Sequence, residues 1–259
     1  MMFTNHPYRH PIDFDRLNTF LSQIRIDIPH SHYLHRGDLT WQLFHMLADY
    51  PLTNLIQIWE DAWEHILGFV LLYPPYGFFD LQLHPQQRGT ALEAVMLAWA
   101  EEYLPASRST LVNNHDTTRR SLLTEHGYVP QGEWQYLERL LLDPLPMPHL
   151  PPGFSVRSLA GDDEAVARAV VLGAAFGAPP QPERYRQLMH APGYVHDLDI
   201  VAVAPDQSLA AFALCWGDPG NKVGQFEPVG TAPEFRQQGL GQAVLYEGLR
   251  RMGSTARNE

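Results

Sequence analysis

The chain has 259 residues, 45% of them hydrophobic and 18% charged, a balance that belongs to a globular protein with a sizeable core and excludes the disordered class. A formal net charge of -11 without any run of Lys or Arg excludes a phosphate-backbone partner, so no nucleic acid is expected. Cys215 is the only cysteine, which excludes an internal disulfide scaffold, and neither a signal-type h-region nor an apolar stretch of about 18 residues is present, so a cytoplasmic protein with no membrane partner is expected.

In chain order, Asn54 to Glu60 and His65 to Tyr73 read as strands, Pro74 to Gly77 as a turn and Phe78 to Leu83 as a third strand. Leu92, Val95, Met96, Trp99 and Tyr103 follow at helical spacing and are expected on one side of a helix. Ser109 to Asn113 reads as a strand, Thr117 to Glu125 as a helix and Trp134 to Leu142 as a closing strand. The segment from Pro144 to Gly153 then holds five prolines in ten residues, which suppresses hydrogen-bonded structure and marks a linker. The expected organisation is therefore a first domain over 1–143, a linker over 144–152 and a second domain over 153–259.

The second half repeats the plan. Phe154 to Leu159 alternates as a strand, and Glu164 to Phe176 carries a helical pattern through Val166, Val170 and Val171. Asp199 to Val203 and Leu209 to Trp216 form a hairpin about the Pro205-Asp206-Gln207 turn, and Lys222 to Thr231 makes the next strand. A helix starts near Gly239 with Leu240, Val244, Leu245, Leu249 and Met252 on its apolar face.

The most informative segment lies between that strand and helix: Val229-Gly230-Thr231-Ala232-Pro233-Glu234-Phe235-Arg236-Gln237-Gln238-Gly239-Leu240-Gly241. A helix N-terminus offers unpaired N–H groups and the positive dipole end to an anion, and glycines at 239 and 241 let a pyrophosphate approach the backbone. Arg236 adds a positive charge able to fork onto phosphate. Gln86-Gln87-Arg88-Gly89-Thr90-Ala91 repeats the pattern in the first half, but Pro85 adjoins Gln86 directly whereas Pro233 stands two residues clear of Arg236. The first loop is shorter and is expected to bind pyrophosphate poorly.

Arg236-Gln237-Gln238-Gly239-Leu240-Gly241, with its strand, proline and helix, resembles the Q/R-x-x-G-x-G/A signature of the Gcn5-related N-acetyltransferase superfamily. The resemblance implies an α/β (α+β) fold of two tandem acetyltransferase-like domains, each a mixed, mostly antiparallel sheet flanked by helices. It also implies acetyl-CoA as acyl donor, an amine acceptor, and Val229, Thr231, Arg236, Gln237, Gln238, Gly239, Leu240 and Gly241 as cofactor-binding residues, with the Val229 N–H on the thioester carbonyl. Glu227 is read as the general base, against the alternative of an acidic side chain on a solvated strand face, and is expected to share a face with Val229 and Thr231. Pro228 in this strand implies an edge or a bulge.

The family's usual acidic Tyr has no counterpart, since Leu123 stands at its place in the first half. The second half ends soon after the loop's helix, so its last strands are expected to be missing, and either the strand edge is covered by the other half or a second copy or the chain is a fragment. The alternative function is a non-catalytic acyl-CoA-binding or assembly module on the same fold. His30, His32 and His35 are expected to be solvated loop histidines with no metal, and Cys215 a buried strand residue.

Overall fold

The protein is described by a computed structural model covering residues 3–27, 33–132 and 147–255. In chain order the elements are β1 Thr4–Pro7, α1 Ile12–Asp27, α2 Arg36–Trp41, β2 Ile56–Glu60, β3 Ile66–Tyr73, β4 Phe78–Leu83, α3 Ala91–Tyr103, β5 Ser109–Thr110 and α4 Thr117–Glu125. They continue as β6 Ser155–Ser158, α5 Ala165–Phe176, α6 Pro182–Met189, β7 Asp199–Val203, β8 Leu209–Asp218, β9 Val223–Thr231 and α7 Leu240–Thr255. The expected closing strand Trp134 to Leu142 and the first part of the expected linker lie outside the described residues.

The first unit is a sheet of order β1-β2-β3-β4-β5, antiparallel except for the final parallel pair. Successive strand residues point to opposite faces, and Gly68 and Phe69 show how both faces are filled. Phe69 meets Phe20 of α1 at 6.1 Å between ring centroids, while Gly68 lets Met96 of α3 close on the backbone. Neither β1 nor α1 was expected from the sequence. The helix is legible in retrospect from Phe14, Leu17, Phe20, Leu21 and Ile24, all buried, with Asp13 and Asp15 in its first turn and Arg25 in its last.

Two expectations here need correction. Helix α3 buries Leu92, Met96, Leu97 and Ala100, whereas Val95 and Tyr103 face solvent, because the sheet takes the i, i+4 row through Leu92 and Met96. Strand β5 pairs only at Ser109 and Thr110, after which β4 and the chain beyond β5 part company.

The second unit is a four-stranded antiparallel sheet of order β6-β7-β8-β9. One face packs α5 and α6 through Ala165, Ala169, Val171, Leu172, Tyr185 and Leu188, and the other packs α7 through Leu240 and Val244. The expected face of α5 is also corrected: Val166 and Val170 are exposed, and the buried row runs through small and aliphatic residues plus Arg168.

The expected boundary does not hold for one segment. Residues His35–Ala48, which precede the first unit's central strands in sequence, pack with the second unit. Their Trp41, Phe44 and Met46 join the cluster that contains Trp216, Phe212 and Tyr185. Helix α2 comes so close to β8 that a Cβ at Gly37 would stand 2.2 Å from Trp216 Cγ. No local pattern announces this, since a six-residue helix followed by a π-helical turn at Gln42–Met46 carries too little periodicity.

Candidate functional site

Strand β9 positions the site through a bulge. Ala213 pairs with Val229 and Cys215 with Phe226, so Glu227 and Pro228 together face the single residue Leu214. The extra residue resets the alternation. Phe226 and Val229 pack toward α7, and Gly241 lies beside Thr231 Oγ1, whereas Gln225 turns to the other side and hydrogen-bonds Asp38 of α2. Glu227 therefore does not share a face with Val229 and Thr231; it turns with Gln225 toward α2.

The backbone of the same strand divides its hydrogen bonds. Ala232 N–H donates to Ala210 O on the β8 side at 2.9 Å, and residues two apart in an antiparallel strand point the same way. Gly230 thus faces β8, while the Val229 and Thr231 amides face the outer edge, where no described strand pairs with β9. The Pro228-based expectation of an edge or bulge is met on both counts.

At the end of β9 the chain makes a single 3-10 turn at Pro233–Phe235 and then the loop into α7. The first backbone bond of that helix runs from Ala243 N–H to Gly239 O at 3.0 Å, so the amides of Leu240, Gly241 and Gln242 precede the ladder. Gln237 and Gly239 take positive φ values of 63° and 79°, and a Cβ at Gly239 would find only His149 O, at 3.6 Å. The backbone there is open to an approaching anion. The Nε of Arg236 donates to Thr231 O at 3.3 Å and its Nη2 to Ala175 O at 3.1 Å. These bonds tie the loop to β9 and α5.

Sequence reasoning missed the other wall. His35 caps α2, accepting Gly37 N–H at 3.0 Å on Nδ1, while Asp38 Oδ2 accepts His35 N–H at 2.9 Å. This reciprocal cap holds Asp38 in place, and Gln225 donates to its other oxygen. Trp216 Nε1 donates to Glu227 O at 2.7 Å, fixing the backbone that carries the acid. Glu227 reaches solvent, yet the protein packed around its carboxyl raises the pKa above the ordinary carboxylate value, and the charge of Asp38 raises it further. Two carboxylates from distant parts of the sequence thus lie close enough for the charge of one to act on the other, an arrangement able to attract a cation and to accept a proton.

The same unit holds a buried polar cluster. Arg168 of α5 is fully buried, its Nε donating to Asp199 Oδ1 at 3.0 Å and its guanidinium lying 3.9 Å from the Phe212 ring centre and 4.7 Å from that of Tyr185. Asp199 Oδ2 accepts the hydroxyl of Tyr194 at 2.9 Å and that of Tyr185. His45 stacks on Trp41 at 4.0 Å and meets Tyr185 edge-on at 6.1 Å. Burial first, then the charges of Arg168 and Arg184, push the His45 pKa down to about 4. Cys215 is buried as expected, and burial pushes its thiol up, away from nucleophilic use. The expectation of a solvated loop histidine fails for His35, which is buried because its ring caps α2, while His30 and His32 lie outside the described residues.

No family model matches the chain. A mycothiol acetyltransferase of Kineococcus radiotolerans is 31% identical over 179 residues, covering 66% of this chain and 58% of its own length. One of Segniliparus rotundus is 26% identical over 210 residues, covering 74% and 78%. Among solved structures, a GCN5-related N-acetyltransferase from Sphaerobacter thermophilus covers 96% of this chain and 83% of its own at a TM-score of 0.61 and 20% identity. A tandem GNAT protein from the clavulanic acid biosynthesis pathway covers 99% and 87% at a TM-score of 0.60 and 14% identity. The chain has the fold of the Gcn5-related N-acetyltransferases. It is of the tandem type, with one sheet and one loop-helix motif in each unit. The chain spans a little over half the length of the Kineococcus relative. No helix among the described residues is long and apolar enough to cross a membrane.

Proposed function

We propose that the second unit transfers a short acyl group, acetyl in the simplest case, from a coenzyme A thioester to a primary amine. The observation that carries this reading is the set of amides from Gln237 to Gln242 ahead of α7, without partners among the described residues, adjoining a bulged strand whose Val229 N–H faces outward. A pyrophosphate fits there: Gly239 leaves the backbone open, and no side chain among the described residues takes the loop amides. Thr231, Leu240 and Gly241 would frame the same place, with Arg236 holding the loop rather than the phosphate. Val229 N–H is the donor that meets the carbonyl oxygen as charge builds on it.

On the other side of β9, Glu227 accepts the proton of the attacking amine, directly or through water. The nitrogen forms its bond to the acyl carbon, the carbon–sulfur bond breaks, and the thiolate leaves with the electron pair. Asp38 keeps Glu227 basic and favours cationic acceptors. Because the relatives carry the name mycothiol acetyltransferase, deacetylated mycothiol heads the acceptor panel.

The test is release of thiol from acetyl-CoA over that panel of amines, for the natural chain and Glu227→Gln. Turnover that falls by about 100-fold or more in the variant, with donor binding unchanged, supports the assignment. Donor binding without turnover for any amine would leave only a binding module, and absence of donor binding would remove both readings.

A further inference from the structure

The first unit carries the same motif in the same place, between β4 and α3, yet its surroundings differ. Gly89 N–H donates to Glu93 Oε2 at 2.8 Å, and Glu93 Oε1 accepts Arg119 Nε at 2.6 Å. Glu93 is 1% exposed. A carboxylate thus occupies the position at the N-terminus of α3 that an anionic ligand would take, and it satisfies both the loop amide and the positive dipole end. In the second unit, Ala243 stands at the equivalent place, two residues past the last residue of the motif, and brings no charge.

The cleft beyond the loop is filled in the same manner. Arg119 Nη1 donates to Leu81 O at 3.0 Å and Tyr33 OH to Leu83 O at 2.8 Å, so side chains occupy the carbonyls along the outer edge of β4. Arg88 Nη1 pairs with Asp116 at 2.6 Å and Nη2 with Tyr33 OH at 3.1 Å. The space remaining where β4 and the chain after β5 diverge is about 10 Å3, lined by Asp80, Gln82, Arg88, Asn113, Asp116 and Arg119. That holds roughly one water molecule and no ligand arm.

We propose that the first unit is a donor-site fold filled by its own side chains, with the Glu93 carboxylate in the place of the pyrophosphate, so that the chain takes one coenzyme A, on the second unit. The second half of this statement rests on the function proposed above; the first half does not. Filling by a covalently attached group needs no ligand to be bound and released, so the unit contributes a stable scaffold rather than a second catalytic centre.

The experiment is calorimetric titration of the full chain with coenzyme A, paired with hydrogen exchange read separately at 81–93 and at 225–244. One molecule bound, with protection confined to 225–244, is the expected result. Two bound, or protection appearing at Gly89 to Glu93, overturns the proposal. Should nothing bind at all, exchange at 81–93 stays unchanged as the filled cleft requires, and the reading of the second unit alone fails. Glu93→Ala frees the Gly89 amide and is expected to gain coenzyme A protection at Gly89 to Ala91. Glu93→Gln drops the charge while keeping acceptor and fold, and is expected to gain less. If neither variant responds to coenzyme A, Glu93 is not what fills the place and the proposal falls.

Discussion

Asp199→Asn tests the cluster that seats α5, α6 and the α2 segment together. The substitution keeps an acceptor for the tyrosine hydroxyls but leaves Arg168 as a fully buried cation whose Nε–Asp199 bond is the one ion-pair contact of its side chain among the described residues. Both Nη atoms are buried without a hydrogen-bond partner among the described residues. Breaking a buried pair in this way costs about 3–5 kcal/mol. Stacking on Phe212 and Tyr185 persists in the variant and places the expected loss at the lower end, about 3 kcal/mol. Adding Arg168→Met removes the stranded charge and restores contact with both rings, so the double variant is expected within about 1–2 kcal/mol of the natural chain. Native-state hydrogen exchange at Ile200 to Val203 reads the stability of this unit without contribution from the other. An Asp199→Asn loss under 1 kcal/mol, or a double variant no better than the single, would refute the reasoning.

Two further outcomes follow from the same region. His45 has a folded pKa of about 4, below its unfolded value, so between roughly pH 6.5 and 4 the unfolded chain binds the extra proton and stability falls on acidification. The loss reaches about 3 kcal/mol at the lower end, and His45→Gln should flatten that slope in urea titrations at pH 7 and pH 5; an unchanged slope assigns it to other groups. Gly37→Ala forces a methyl group into Trp216, an overpacking that costs about 1–3 kcal/mol and displaces Asp38; melting temperature and amine KM should both move, and a silent substitution would show that α2 does not set the surroundings of Glu227.

The loop into α7 was legible because glycine spacing, proline and an amphipathic helix state a local demand that no distant contact can override. The strands were legible for the same reason, being runs of apolar residues between turn signals. What escaped were facts of assembly. Nothing near Asp38 says that it will meet Gln225, because that meeting depends on which sheet the α2 segment joins. The face of Glu227 was misjudged because alternation fails at a bulge whose position only pairing with Leu214 reveals. The face of α5 was misjudged because Val166 and Val170 look like core and the buried residue is Arg168, whose partner Asp199 lies on a different element. Glu93 reads locally as an ordinary acidic first-turn residue, and only its bonds to Gly89 and Arg119 give it meaning.

The excursion of His35–Ala48 into the second unit has a consequence for how the chain can be divided. A cut at the proline-rich stretch would separate Trp41, Phe44 and Asp38 from the sheet they complete. The later fragment would expose a notch beside Trp216, and the earlier one would carry a loose, partly apolar strap. Shuffling or expressing the halves as independent modules therefore requires the strap to travel with the later half, by circular rearrangement of the gene. During synthesis this unit cannot finish folding on its own residues, but must capture a segment made long before, which couples the maturation of the site to the integrity of everything upstream.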